Sequence, residues 1–296
     1  MQVVLVWAAA ALDDPSLQLC QRLAQALWSQ GGSAATPLLV GGRGRAGPQG
    51  RGPASGSGSG PAAPARVHSI HVHLQADASD NAIISGAGAW QLLAGDADAW
   101  QRFGAASTVV APGGFVQSNY GAMQRCLQHV AGLVPAGSRI AELFAGSGTI
   151  GLHLLQACAA ASVRCVELNP ACRPAFLQAL EQLPAEQASR IQLHTASAGE
   201  QPRQWLAGVE VVVVDPPRKG LGSALLDALC GITAADHADC APLRQLVYIS
   251  CGWQAFQGDC DALLASGAWE LAPQATAFLF FPGTDALETV AVFRRI

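Results

Sequence analysis

Asp215-Pro216-Pro217-Arg218-Lys219 follows directly on four valines, residues 211–214. Four β-branched residues in a row read as a fully buried strand, which puts the five residues at its carboxyl end. Two successive prolines fix φ twice, so the Asp215 carboxylate and the prolyl carbonyls are held rigidly over whatever binds there. A second apolar run, Leu246-Val247-Tyr248-Ile249, breaks off into Ser250-Cys251-Gly252. A cysteine at the tip of such a strand is either a small hydrophobe or a nucleophile. Near the end of the chain, Glu288 enters the last apolar segment after a Pro-Gly turn, where a carboxylate can act as a base.

A third constellation spans Glu142 to Gly151, E-L-F-A-G-S-G-T-I-G. It reads as a strand running into Gly146-x-Gly148 and then a helix. Glycines there let a ligand approach the backbone at a helix N-terminus, on the carboxyl edge of a sheet. Gly146, Gly148 and Gly151 match the dinucleotide spacing, and Glu167 ends the next strand where a carboxylate binds ribose hydroxyls. Alone, this fits either a nicotinamide or an S-adenosyl-L-methionine (SAM) site. Glu142 inside the strand and the later Asp-Pro-Pro turn favour SAM, since enzymes that methylate planar nucleobases carry such a turn.

These residues need a frame. From residue 139 onward, strands expected at 139–144, 162–167, 190–194, 210–214 and 245–250 alternate with helices, the signature of a doubly wound, mainly parallel sheet. Residues 269–296 contain no comparable helix and read as an antiparallel strand pair closing one edge. Before this lies a smaller α/β segment. Residues 2–7 suggest a buried strand, although the opening M-Q-V-V-L-V-W-A-A-A-A-L also resembles the apolar part of a signal peptide without its cationic flank. A helix then starts after Asp14-Pro15 and stops at Gly31-Gly32, with Leu19, Leu23, Leu27 and Trp28 as its apolar stripe. Thr36–Val40 suggests a further strand. Residues 41–66, rich in Gly, Pro and Ser, form a flexible insertion whose Arg43, Arg45, Arg51 and Arg66 belong to a solvated loop or touch phosphates. The division expected is 1–108 for a substrate-facing α/β subdomain and 109–296 for the catalytic domain.

Composition narrows the functional classes. The 296 residues are 50% hydrophobic with a net charge of −4, so no global positive field attracts nucleic acid and any such binding needs a local patch. Nine scattered cysteines without a C-x-x-C pair point to reduced thiols; Cys158, Cys165 and Cys172 fall on different elements and do not converge on a metal. His71 and His73 share a strand face without a third ligand beside them, so no metal is expected. Nor is a membrane span.

The motifs F-V-Q-S-N (115–119), E-L-F-A-G-S-G-T-I-G-L, V-E-L, D-P-P-R-K-G-L, Y-I-S-C and F-P-G-T-D-A-L-E-T-V-A-V-F come in the order found in the uracil-5 RNA methyltransferase family. The chain resembles a divergent member over about residues 110–296 and only loosely before that. The resemblance implies a class I SAM-dependent methyltransferase fold and 5-methyluridine formation in tRNA or ribosomal RNA. It implies cofactor contacts by Gln117, Phe144, Gly146, Gly148, Thr149, Glu167 and Asp215, a Cys251 nucleophile and a Glu288 general base. Arg218 and Lys219 are then suited to the substrate phosphate or to favouring the thiolate. This chain departs from the family in Gly252-Trp253, where Asn-Pro is usual, in Thr149 for Asn, and in lacking two histidines of the terminal motif.

The chemistry asks for the same residues. Uracil C5 is too weak a nucleophile to take a methyl group unaided. A thiolate adding to C6 makes C5 enolate-like, and after transfer a base removes the C5 proton so that the thiol can leave. The uridine must be extruded from folded RNA for this. Two rivals stand beside this reading: an amino-directed nucleic-acid methyltransferase with a structural Cys251, and a non-catalytic SAM- and RNA-binding protein. A monomer in the cytoplasm is the expectation, or in an organelle if an N-terminal segment is missing.

Overall fold

A computed structural model of the chain describes residues 2–9, 11–32, 66–75, 89–110, 117, 119–232, 240–284 and 287–296. The strand expected at Thr36–Val40, most of the insertion at 41–66, Phe115 and Asp285 lie outside the described residues. Two compact units result: residues 1–100 with 110–114, and residues 101–109 with 115–296.

In the first unit β1 (Gln2–Trp7) pairs in parallel with β2 (Ser69–Leu74), and β3 (Trp90–Gly95) lies antiparallel on the other side of β2. The central β2 is buried along its whole length, whereas β1 is only half-buried, because an edge strand has one neighbour. Helix α1 (Leu17–Gly31) covers this sheet, and here the sequence reading needs correction. Leu17, Cys20 and Ala24 face the sheet with Trp28 at their end, while Leu19, Leu23 and Leu27 are exposed. Both rows have helical spacing; the row with the small side chains is the one packed on β2. Asp14 precedes the helix by one turn, accepting from the Ser16 amide at 2.8 Å. His71 lies 3.3 Å from Ser69 Oγ, and His73 stacks on Trp90 at 4.4 Å. Among the described residues no group of three potential metal ligands exists.

A hairpin, β4 (Ala99–Phe103) and β5 (Ala106–Val110), leads to α2 (Tyr120–Leu133). Then come β6 (Arg139–Leu143), α3 (Thr149–Ala157), β7 (Ser162–Glu167), α4 (Arg173–Glu181), α5 (Ala185–Ala188), β8 (Ile191–Thr195), α6 (Pro202–Leu206) and β9 (Val211–Val214). The chain ends with α7 (Ser223–Cys230), β10 (Gln245–Ser250), α8 (Trp253–Ala265), β11 (Trp269–Leu271), β12 (Thr276–Phe278) and β13 (Glu288–Arg295). The sheet order is β11-β13-β10-β9-β6-β7-β8, with β12 also on β13. The five strands from β8 to β10 are parallel, and β13 runs antiparallel to β10. The expected terminal pair is therefore three strands, since β11 and β12 both bond to β13.

Alternation explains the central strands. Val211, Val213, Val247 and Ile249 enter one core, and Val212, Val214, Leu246 and Tyr248 enter the other, because successive side chains point to opposite faces and both faces are covered. Order along the sheet reverses between β6 and β9, and the crevice at such a switch point lies outside the carboxyl ends of the strands. That crevice is where Phe144 and Asp215 emerge.

Glu142 is the exception inside β6. It is fully buried, and its Oε2 accepts from the Gly151 amide at 2.9 Å and from the Cys165 thiol at 3.1 Å. A Cβ on Gly151 would stand 2.5 Å from that oxygen, so this glycine is there for helix-to-sheet packing, not for a ligand. Burial pushes the Glu142 carboxyl up to about 8. The folded protein thus keeps a proton that the unfolded chain releases near 4.5, and stability falls as pH rises between those values. Between pH 7 and 8, wild-type stability in urea titrations is expected to keep falling, by at most about 1.4 kcal/mol per pH unit for one proton. Glu142→Gln should fall less steeply than wild type over that interval, keeping only the smaller contribution of Asp215 and Glu288.

Candidate active site

The loop after β6 turns by unusual backbone. Phe144 adopts φ 62° and Gly146 φ 55°, and Gly148 at φ 73° caps α3. A left-handed phenylalanine is uncommon and costs free energy, so the turn is imposed by its surroundings. The Ala145 amide donates to the Val166 carbonyl at 3.0 Å, and the Gly146 amide donates to Glu167 Oε2 at 2.8 Å. Glu167 Oε1 accepts from the Asn169 amide at 2.7 Å. Each oxygen keeps a lone pair, so the carboxylate is oriented by backbone and still able to bind hydroxyls. A Cβ on Gly148 would strike the Phe176 ring at 2.6 Å, but one on Gly146 would meet open space. Gly148 is required by packing against Phe176, and Gly146 borders open space. Thr149 Oγ1 lies 3.2 Å from Ser147 Oγ at the start of α3, and Gln117 is half-buried two residues before Asn119, the cap of α2.

Asp215 leaves β9 beside Cys251 leaving β10, since the two strands are paired neighbours. On the other side of β10, Thr289 of β13 pairs with Ser250, so Glu288 begins its strand next to Cys251. The sheet thus gathers the three groups from 215, 251 and 288. Their electrostatics agree with the topology. Burial, then Glu288, pushes the Asp215 carboxyl up to about 7. Burial pushes Glu288 up to about 7 against the opposing pull of Arg218. Glu288 is 8% exposed and its Oε2 has no hydrogen-bond partner. Cys126 on α2 feels both acids as well: burial first, then Asp215 and Glu288, push its thiol up to about 12.

The sequence suits Arg218 and Lys219 to the substrate phosphate or to favouring the thiolate, and Arg218 does pull the Cys251 thiol down. Burial, Glu288 and Asp215 raise the Cys251 thiol above its ordinary value, while its own backbone amide and Arg218 pull it down without prevailing. Two acids outweigh one exposed guanidinium. Lys219 is exposed beside it.

What holds this loop was missed. Asp259 on α8 accepts at Oδ2 from the Leu221 amide at 2.9 Å and from the Tyr248 hydroxyl at 2.7 Å. Gly220, at φ 82°, passes so close that a Cβ would lie 2.7 Å from the same oxygen. The signal was an aspartate on the apolar face of α8, in the row Phe256, Asp259, Leu263. Gly252 is fixed in the same way, as its Cβ would fall 2.5 Å from the Arg218 carbonyl.

No protein-family model matches the chain. In sequence it is similar to an uncharacterised RNA methyltransferase of Protochlamydia amoebophila, 32% identical over 228 residues, 77% of this chain and 55% of that one. Another, from Thermosynechococcus vestitus, is 29% identical over 204 residues, covering 68% and 42%. The chain spans about half the length of the curated relatives it matches. In structure it is similar to the Pyrococcus abyssi tRNA (uracil-54, C5)-methyltransferase in complex with S-adenosyl-L-homocysteine. The TM-score is 0.60 at 23% identity, over 77% of this chain and 51% of that one. A SAM-dependent methyltransferase described from Streptococcus mutans superposes with a TM-score of 0.50 at 10% identity, over 77% and 61%. The fold is that of the SAM-dependent methyltransferases, and the sequence relatives are named as methyltransferases of RNA. Among the described residues no helix is long and apolar enough to cross a membrane, and all nine cysteines are free thiols.

The raised Cys251 thiol is open to test. Alkylation by iodoacetamide, followed at the Cys251 peptide by mass spectrometry, is expected to have its midpoint above 9. Glu288→Gln removes the nearer of the two acids and should shift that midpoint down. An unshifted midpoint in a folded variant would separate the two groups.

Proposed function

We propose that the chain methylates C5 of a uridine in tRNA or ribosomal RNA, using SAM and a covalent bond from Cys251 to C6. One observation carries this reading: Cys251 and Glu288 leave neighbouring strands side by side, next to the Asp215-Pro-Pro turn and across one strand from the Gly146 cradle. The curated relatives named for RNA methylation support the substrate class, and the solved uracil-C5 enzyme supports the position.

The residues present fit SAM. Gly146 leaves open space at the head of α3, Glu167 is held by two amides with lone pairs to spare, and Asp215 stands at the switch point. Phe144, Gly148 and Thr149 shape the cradle, and Gln117 belongs to it through the family motif. SAM supplies an electrophilic methyl group on sulfonium sulfur. Asp215, whose carboxyl is pushed up to about 7, is protonated in about half the molecules near neutral pH and can then donate a hydrogen bond as well as accept one.

Cys251 gives its proton to solvent water and its sulfur bonds to C6, sending the C5–C6 π electrons toward C5 and O4. C5 then takes the methyl group. Glu288, whose carboxyl gives up its proton near neutrality, removes the C5 hydrogen; those electrons re-form C5=C6 and expel the Cys251 sulfur. Arg218 and Lys219 are placed to meet a phosphate beside the extruded base.

RNA containing 5-fluorouridine has no C5 proton to lose, so wild type with SAM is expected to give a gel-stable adduct, and Cys251→Ala none. Glu288→Gln should accumulate a methylated adduct with ordinary uridine. An amino-directed enzyme would transfer methyl without any adduct, and methylation by Cys251→Ala above a few per cent of wild type would overturn the nucleophile. Glu167→Ala is expected to weaken SAM binding by about 1–3 kcal/mol in calorimetry, through loss of charge-assisted hydrogen bonds. Unchanged affinity would remove Glu167 from the site.

A further inference from the structure

Trp253 is 64% exposed, although it follows Cys251 by only two residues and opens α8. A large apolar ring held in water has a cost that ordinary surface composition does not require. Packing does not explain it, but the structure keeps it in place. Its ring lies 5.7 Å from that of Phe256, and Phe256 meets Tyr248 edge-on at 5.1 Å. Tyr248 is fully buried and bonds to Asp259, which also holds the Leu221 amide. The indole is thus the outer end of an aromatic ladder whose inner end fixes the 215–221 loop. Gly252, the residue before Trp253, lies so close to the Arg218 backbone that a Cβ would stand 2.5 Å from the Arg218 carbonyl oxygen.

We propose that Trp253 is a stacking platform for the nucleobase next to the uridine that enters the site, with Arg218 and Lys219 taking the adjoining phosphates. The proposal rests on the RNA reading above and adds to it a residue outside the chemical step. Extruding a uridine leaves its neighbour with one unstacked face, and a rigid exposed indole offers a flat partner for any base. The local cations suit a polyanion although the chain as a whole carries −4. Neutral apolar partners would gain nothing from Arg218 and Lys219; single-stranded RNA uses the ring and the charges together.

The test uses the full chain and a short uridine-containing oligoribonucleotide. Stacking contributes about 1–3 kcal/mol per base, or roughly 5- to 150-fold in affinity. Trp253→Ala and Trp253→Leu are each expected to raise KM for RNA within that range, with kcat at saturating RNA and SAM affinity near wild type. Trp253→Phe, which restores a planar face, should recover most of the loss. Leu performing as well as Phe would mean that apolar contact suffices, and an unchanged KM in Trp253→Ala would mean that no base stacks there; either overturns the proposal. RNA should also quench tryptophan fluorescence in wild type and less in Trp253→Phe. Quenching of this kind without any 5-methyluridine would overturn the uracil-C5 reading and leave the platform standing. Methylation with no Trp253-dependent quenching would do the reverse.

Discussion

The candidate site depends on one buried oxygen. Asp259 Oδ2 receives the Tyr248 hydroxyl from the core strand β10 and the Leu221 amide from the loop that follows β9. Cys251 follows strand β10 directly and the loop begins with Asp215, so a single acceptor sets the relative position of two chemical groups. Burying a carboxylate is costly unless it is hydrogen-bonded, and here both donors are supplied by the pieces that must be aligned. Gly220 permits this by lying where any side chain would strike the same carboxylate. Burial and the Asp259 bond together push the Tyr248 hydroxyl far above its usual range, so it stays a donor throughout.

Around that fixed frame the sheet concentrates acids that water would keep apart. Asp215, Glu288 and the Cys251 thiol meet at the ends of three adjacent strands, and each raises the proton affinity of a neighbour. Arg218 is the cation that opposes them, and it does so from an exposed position. An arrangement with unpaired acids is poor for stability. It suits chemistry that must hold a proton and release it near neutral pH, because a carboxyl that titrates near 7 exchanges protons without a large barrier in either direction. Glu142 shows the contrast: equally buried, but bonded to Gly151 and Cys165, it serves the scaffold.

Much of this was legible in the chain. Strands 162–167 and 245–250 have the bounds expected, and 139–144, 190–194 and 210–214 shift by a residue at one end or both. Continuous β-branched runs between turn residues leave little else for them to form. That Gly146 and Glu167 lie at the carboxyl edge of the sheet was legible too, since one follows β6 by three residues and the other ends β7. What could not be read were choices made in three dimensions. On α1 two rows had helical spacing, and only contact with β2 selects the one containing Cys20 and Ala24. At 148, 151 and 252 glycine also meets a need that spacing alone does not show: a ring, a carboxylate or a backbone passes too near for a Cβ. Likewise the effect of Arg218 on the thiol depends on two acids, Asp215 and Glu288, that are 36 and 37 residues from Cys251 in the chain and that only the sheet brings near.

The Gly252-Trp253 pair, where the resembling family has Asn-Pro, is best understood as a single adjustment. Arg218 crosses residue 252 at a distance that admits only glycine, and this crossing is possible because the Pro216-Pro217 turn and the Asp259 bond fix the loop from both ends. With 252 reduced to backbone, the next side chain opens a helix whose apolar face already carries Phe256. An aromatic residue there gains support from Phe256 and keeps most of its face in solvent. A proline at that position would have no aromatic ring to lay on Phe256, and a long aliphatic chain would have no fixed plane. The identity of residue 253 therefore follows from how closely the loop approaches residue 252, which ties the outer surface of the site to the same buried carboxylate that aligns its interior.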